Sequence, residues 1–140
     1  MKQQSPYHHY VVMFFIMILS GLLSTMNVWV DKYQDMRFSI NDVYMTLLMS
    51  GWMLFFMGLF DCTTYVVIIG TIIVMSSIWC IRTQFLVTEE QYVLGMIPHH
   101  SMAIHMSKKL LEKETNIQSF VKNIIQTQED EIIYMTKNTK

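Results

Sequence analysis

Three long apolar stretches without a single charged side chain constrain this sequence more than any other feature. They cover residues 10–30, 43–60 and 65–81. A helix needs about 20 apolar residues, and at least about 17, to cross a bilayer. The first stretch exceeds this length, and the other two lie near the lower limit. Because backbone polar groups must be satisfied internally in lipid, we expect three transmembrane helices.

The charged side chains divide the sequence into two parts. Fourteen of the 21 charges fall after residue 81, although that part holds only 59 of the 140 residues. We therefore predict a membrane domain over 1–82 and a water-exposed domain over 83–140. The net charge of −1 provides no positive field for nucleic acid, so the bilayer is the expected partner.

The water-exposed part has the pattern of an amphipathic helical hairpin, so the predicted fold class is all-α. Thr88 and Gln91 form a capping box, which predicts a helix from about Glu89 to about Lys113 with a kink at Pro98. A turn over 114–116 precedes a second helix. Its predicted apolar face follows spacings of three and four residues: Ile117, Phe120, Val121, Ile124, Ile125, Gln128, Ile132 and Met135.

Histidine and methionine are concentrated in residues 96–106, which read MIPHHSMAIHM. On a helical wheel, His99, His100, Met102 and Met106 fall with Met96 on one face of about 160°. Thioether and imidazole together favour copper, with Cu(I) preferred and Cu(II) as the alternative. Zinc prefers thiolate and imidazole. The alternative is that the methionines fill an irregular core and the histidines cap a bent turn.

A second methionine array lies in the second apolar stretch. Met45, Met49, Met53 and Met57 recur every four residues and so form one ridge on a helix. One interpretation is a track of soft sites that passes Cu(I) through the bilayer. The other is helix packing by flexible side chains, which the absence of ionisable groups in these stretches favours.

Residues 96–106, followed by Gln128-x-x-Glu131-Ile132-x-x-Met135, resemble the domain-of-unknown-function family three-zero-five, which includes exported copper-binding proteins. The segment Arg82-Thr83-Gln84 after the last span resembles a membrane-anchored branch of that family. The resemblance implies a ferritin-like four-helix fold, with Gln128 and Glu131 as motif members. It implies these candidate copper ligands: Met96, His99, His100, Met102, Met106 and Met135.

One helical hairpin is half of a four-helix bundle, so we expect a homodimer or larger homo-oligomer to complete it. The sequence lacks the His-Glu-x-x-His, phosphate-loop and nucleophile-elbow motifs, so no enzyme is predicted. The predicted function is a membrane-anchored protein that captures or buffers copper. The alternatives are a metal-free structural or partner-binding membrane subunit, and a small copper permease or chaperone that uses the methionine ridge.

The resemblance also implies a location in the bacterial inner membrane, with the hairpin outside the cytoplasm. The positive-inside rule favours the opposite orientation by a small margin, because Lys32, Arg37 and Arg82 flank the hairpin side of the spans.

Overall fold

The computed structural model describes residues 6–138, and all regular structure in this range is helical. Its five α-helices are α1 (Pro6–Leu23), α2 (Ile40–Phe60), α3 (Thr64–Thr83), α4 (Glu89–Leu111) and α5 (Gln118–Asn138). Two short 3-10 turns, Met26–Trp29 and Tyr33–Asp35, lie between α1 and α2. The all-α prediction is confirmed.

Three of the helical segments are long and apolar enough to cross a membrane, as predicted. They are Tyr7–Trp29, Ile40–Phe60 and Thr64–Thr83. The first differs from the prediction, because α1 ends at Leu23 and the apolar chain continues through the first 3-10 turn. Apolar composition therefore extends beyond the α-helix that it predicts.

The described chain forms two compact units that interleave along the sequence. The membrane unit contains residues 6–24 and 41–86, and the cap unit contains residues 25–40 and 87–138. The sequence-based division at residue 82 assigned 25–40 to the membrane domain, whereas these residues pack with the C-terminal hairpin. We call residues 25–40 the interspan segment.

Helices α2 and α3 of the membrane unit pack through small side chains. A Cβ atom on Gly70 would lie 2.5 Å from the amide nitrogen of Phe55, and one on Gly58 would lie 2.7 Å from that of Val67. Ser50 beside this contact is fully buried. Small residues let two helix backbones approach closely. In lipid this close packing favours helix association, because apolar side chains gain no transfer free energy when they move from lipid into a helix contact.

The methionine ridge is exposed in its first half and half-buried in its second. Met45 and Met49 are each about half exposed within the chain, whereas Met53 and Met57 are half-buried. The ridge therefore contacts the rest of the chain along only part of its length.

The cap unit is a helical hairpin that the interspan segment covers. Ile97, Ile104 and Val121 form its apolar core, each with 2% of its surface exposed. Thr88 is the N-cap residue of α4, and its hydroxyl accepts a hydrogen bond from the Gln91 amide at 3.3 Å, which confirms the predicted cap. The Gln91 side chain makes a different contact, since its Oε1 accepts from the Ile40 amide at 2.8 Å.

Candidate metal site

The candidate site lies between α4 and α5 of the cap unit. Met96 and His100 are four residues apart on α4, so their side chains lie on one face of that helix. Met135 on α5 faces the same space. These three side chains border a cavity of about 450 Å³, whose complete lining is Tyr92, Met96, His100, Thr127, Asp130, Glu131, Tyr134 and Met135.

His100 is the most deeply buried of the polar groups in this cavity, with 9% of its surface exposed. Its Nδ1 lies 3.1 Å from Oε2 of Glu131, but outside hydrogen-bond geometry, so this buried nitrogen has no hydrogen-bond partner among the described residues. A buried polar atom without a partner is rare in folded proteins and calls for an explanation.

Burial is the main influence on the charge of His100. It lowers the pKa of the imidazole below its ordinary value, the Glu131 carboxylate opposes this effect, and His99 adds to it. A lowered pKa favours the neutral ring, which keeps a lone pair on one of its nitrogens. Neutral imidazole is the form that binds metals.

The structure brings three of the six predicted ligands to this cavity and places the other three elsewhere. His99 is exposed, with its ring centroid 5.9 Å from that of His100. Met102 is half-buried and is not part of the lining. Met106 is 52% exposed and borders a separate cavity beside Trp29.

Helix geometry explains this division. Consecutive residues are about 100° apart, so His99 and His100 point in different directions, and only His100 borders the cavity between α4 and α5. The predicted face of about 160° is wider than the part of α4 that one neighbouring helix covers. Ile97, Ser101 and Ile104, which are buried, mark the α4 surface that is packed within the cap unit.

Comparison with known proteins identifies the family. The family model described as "Domain of unknown function (DUF305)" matches residues 82–138. "Uncharacterized protein L153" of Acanthamoeba polyphaga mimivirus is 41% identical in an alignment of 124 residues that covers 81% of this chain and 80% of that protein. The chain belongs to the DUF305 family. No solved structure matches it.

The viral relative shares more than the DUF305 segment. The family model covers 57 residues, from 82 to 138, whereas the alignment with L153 covers 124. The similarity therefore extends into the membrane unit.

Sequence reasoning missed most of the polar lining of the cavity between α4 and α5. Tyr92 precedes Met96 by four residues, and Tyr134 follows Glu131 by three, so both lie on faces that a longer helical wheel would have identified. Glu131 was a motif member without an assigned role. Gln128 contacts it, since its Nε2 donates to Glu131 Oε2 at 3.2 Å.

The donor set decides which metals the cavity suits. Residues 6–138 contain no group of three or more histidine, cysteine, aspartate or glutamate side chains that could hold a metal ion. The possible donors in the cavity lining are the His100 imidazole, the thioethers of Met96 and Met135, and the carboxylates of Asp130 and Glu131. Thioether sulfur is a donor that soft ions such as Cu(I) prefer.

Proposed function

We propose that this DUF305 protein is a membrane-anchored copper-binding protein that captures or buffers copper and carries out no catalysis. The observation that supports this best is a buried His100 whose Nδ1 has no hydrogen-bond partner in the described chain, in one cavity with Met96 and Met135. These three residues are the proposed ligands. A bound copper ion would occupy the imidazole nitrogen and the two thioether sulfurs.

Cu(I) is the proposed oxidation state because thioether sulfur is a soft donor. Imidazole accepts either oxidation state, and the carboxylate of Glu131 would favour Cu(II). We place Glu131 next to the ligands, because its Oε2 lies 3.1 Å from Nδ1 of His100.

A second copy of the chain is the proposed completion of the bundle. The hairpin leaves Phe120 and Ile117 exposed by 61% and 49%, beside the cavity of about 570 Å³ that Met106 also borders. Two hairpins packed on this face would bury it and form four helices. Size determination by light scattering in detergent tests this, and Phe120→Glu is expected to convert a dimer into a monomer.

The proposed location is a membrane, with the cap unit outside the cytoplasm. The three candidate spans support the first part. Because the relative L153 is a viral protein, we do not restrict the proposal to the bacterial inner membrane. Labelling of a cysteine introduced at the exposed Lys113, in intact cells with an impermeant reagent, tests the orientation.

Copper titration with a competing chelator tests the function, and His99→Ala is a matched control for His100→Ala. Loss of His100 is expected to weaken Cu(I) binding at least about 100-fold, since removal of even an outer-shell partner weakens metal binding 10–100-fold. His99→Ala is expected to leave the affinity unchanged. X-ray absorption at the copper edge is expected to show sulfur scatterers that Met96→Leu and Met135→Leu each reduce.

Equal affinity of wild type and His100→Ala would contradict the proposed site. Absence of Cu(I) binding by the wild-type chain would contradict the proposed function itself and would favour the metal-free, partner-binding alternative.

A further inference from the structure

The interspan segment contacts α4 at several points along that helix. At the start of α4, Gln91 accepts a hydrogen bond from the Ile40 amide. One turn later, a Cβ atom on Gly95 would lie 3.2 Å from Oγ of Ser39, so α4 and the interspan segment are in close contact there. Near the end of α4, Lys108 Nζ lies 2.7 Å from Oδ2 of Asp31.

The central contact involves Ser101, the residue that follows His100. Ser101 is fully buried, and both of its hydrogen bonds go to the interspan segment. Its hydroxyl donates to Oδ2 of Asp35 at 2.6 Å and accepts from the Asp31 amide at 2.9 Å. A bond to an ionised carboxylate is stronger than one between neutral groups, so the bond from Ser101 to Asp35 is a strong contact.

Ser101 and His100 are about 100° apart on the helix, so they face different neighbours. Ser101 faces the interspan segment, and His100 faces Glu131 on α5. The contacts of Ser101 therefore fix the rotation of α4 about its own axis, and with it the direction in which the imidazole points.

We propose that Asp35 and Ser101 are positioning residues that hold His100 in the copper cavity from an adjacent face of α4. This inference rests on the proposed function. Neither residue borders the cavity, so both act through the backbone of α4 and not by contact with the metal. The interspan segment then has a role in the site, although Asp35 and His100 are 65 positions apart in the sequence.

The experiment compares Asp35→Ala, Asp35→Asn and Gln34→Ala in the full-length protein in detergent. The alanine variant removes the acceptor for Ser101, whereas the asparagine variant keeps a carbonyl oxygen in its place. Gln34 is the preceding residue and has an exposed side chain, so Gln34→Ala is the matched control. Ser101→Ala, which removes a single oxygen atom, provides a second route if Asp35→Ala does not fold.

Two measurements are made on each variant. Competition with a chelator gives the Cu(I) dissociation constant, and hydrogen exchange of the metal-free protein gives the protection of amides 97–104. For Asp35→Ala and Ser101→Ala we expect a dissociation constant raised roughly tenfold, in the range of outer-shell substitutions, with faster exchange. Asp35→Asn is expected to restore most of the affinity, and Gln34→Ala to match wild type.

An unchanged dissociation constant in folded Asp35→Ala, with wild type binding copper, would overturn this inference alone. A lower folded fraction with unaltered affinity in the folded protein would also overturn it, because it would show a purely structural role. If wild type binds no copper, the proposed function fails and this inference fails with it.

Discussion

The protein contains two helical hairpins whose helices pack through different kinds of side chain. In the membrane unit, α2 and α3 meet at Gly51, Gly58 and Gly70, where backbone lies against backbone. In the cap unit, α4 and α5 meet through branched apolar side chains such as Ile104 and Val121. In lipid an apolar side chain gains no transfer free energy from burial, so close approach matters most. In water the same burial is a main source of stability.

The two hairpins also differ in their buried polar groups. Ser50 in the membrane unit donates to the Thr46 carbonyl of its own helix at 2.8 Å. Ser101 in the cap unit bonds to residues about 70 positions away in sequence. The buried hydroxyl of Ser50 therefore bonds within its own helix, whereas that of Ser101 connects its helix to a segment that is distant in sequence.

The largest expected effect comes from filling the glycine contact of the membrane unit. Gly70→Leu places side-chain atoms where Phe55 and the Gly51 carbonyl already lie, so we expect a loss of about 3 kcal/mol of stability. Reversible unfolding in detergent, followed by circular dichroism, measures it. Thr71→Leu, at an exposed neighbouring position, is the control and should unfold as wild type. Equal stability of both variants would show that glycine packing does not hold this hairpin.

A matched pair of valines tests the role of solvent directly. Val121 in the cap and Val74 in the membrane unit are 2% and 4% exposed. Val121→Ala is expected to lower stability by about 2 kcal/mol, since it loses both transfer free energy and packing. Val74→Ala is expected to lower it by about half as much, because only packing is lost in lipid. Unfolding free energies of the two variants in the same detergent provide the comparison, and equal losses would contradict it.

The smallest expected effect concerns the helix caps. Thr88→Ala removes the hydroxyl that accepts from the Gln91 amide, and we expect a loss of about 1 kcal/mol. Thr63, the N-cap residue of α3, makes no such bond to its helix, so Thr63→Ala is expected to have a smaller effect. Chemical denaturation of each variant checks the order. A larger loss for Thr63→Ala would mean that its contact with Tyr10 matters more than capping.

The helices were predictable because their signals are local. Uncharged apolar stretches gave α2 and α3 to within a few residues, and the Thr88 cap gave the first residue of α4. The end of α1 was less accurate, because apolar composition continues to Trp29 while the backbone changes to a 3-10 turn. Apolar composition indicates an apolar environment around a segment, but it does not indicate which hydrogen-bond pattern the backbone adopts.

The candidate site was only partly predictable, because it depends on contacts between distant residues. The motif around Pro98 indicated a metal site, but a wheel of one helix could not show which side α5 would cover. His99 and Met106 were therefore grouped with His100, although neither of them borders the cavity that His100 lines. The charges of Asp31 and Asp35 were typical of a connecting loop, and nothing local indicated their contacts with α4.

The interleaving of the two units sets an order for biosynthesis. Residues 25–40 emerge from the ribosome well before the hairpin that they cover, and both α2 and α3 are made in the interval. Ser101 therefore meets Asp35 only after α2 and α3 have been made. A truncated product that begins after α3 would keep Ser101 and Gln91 but lack their partners in residues 25–40.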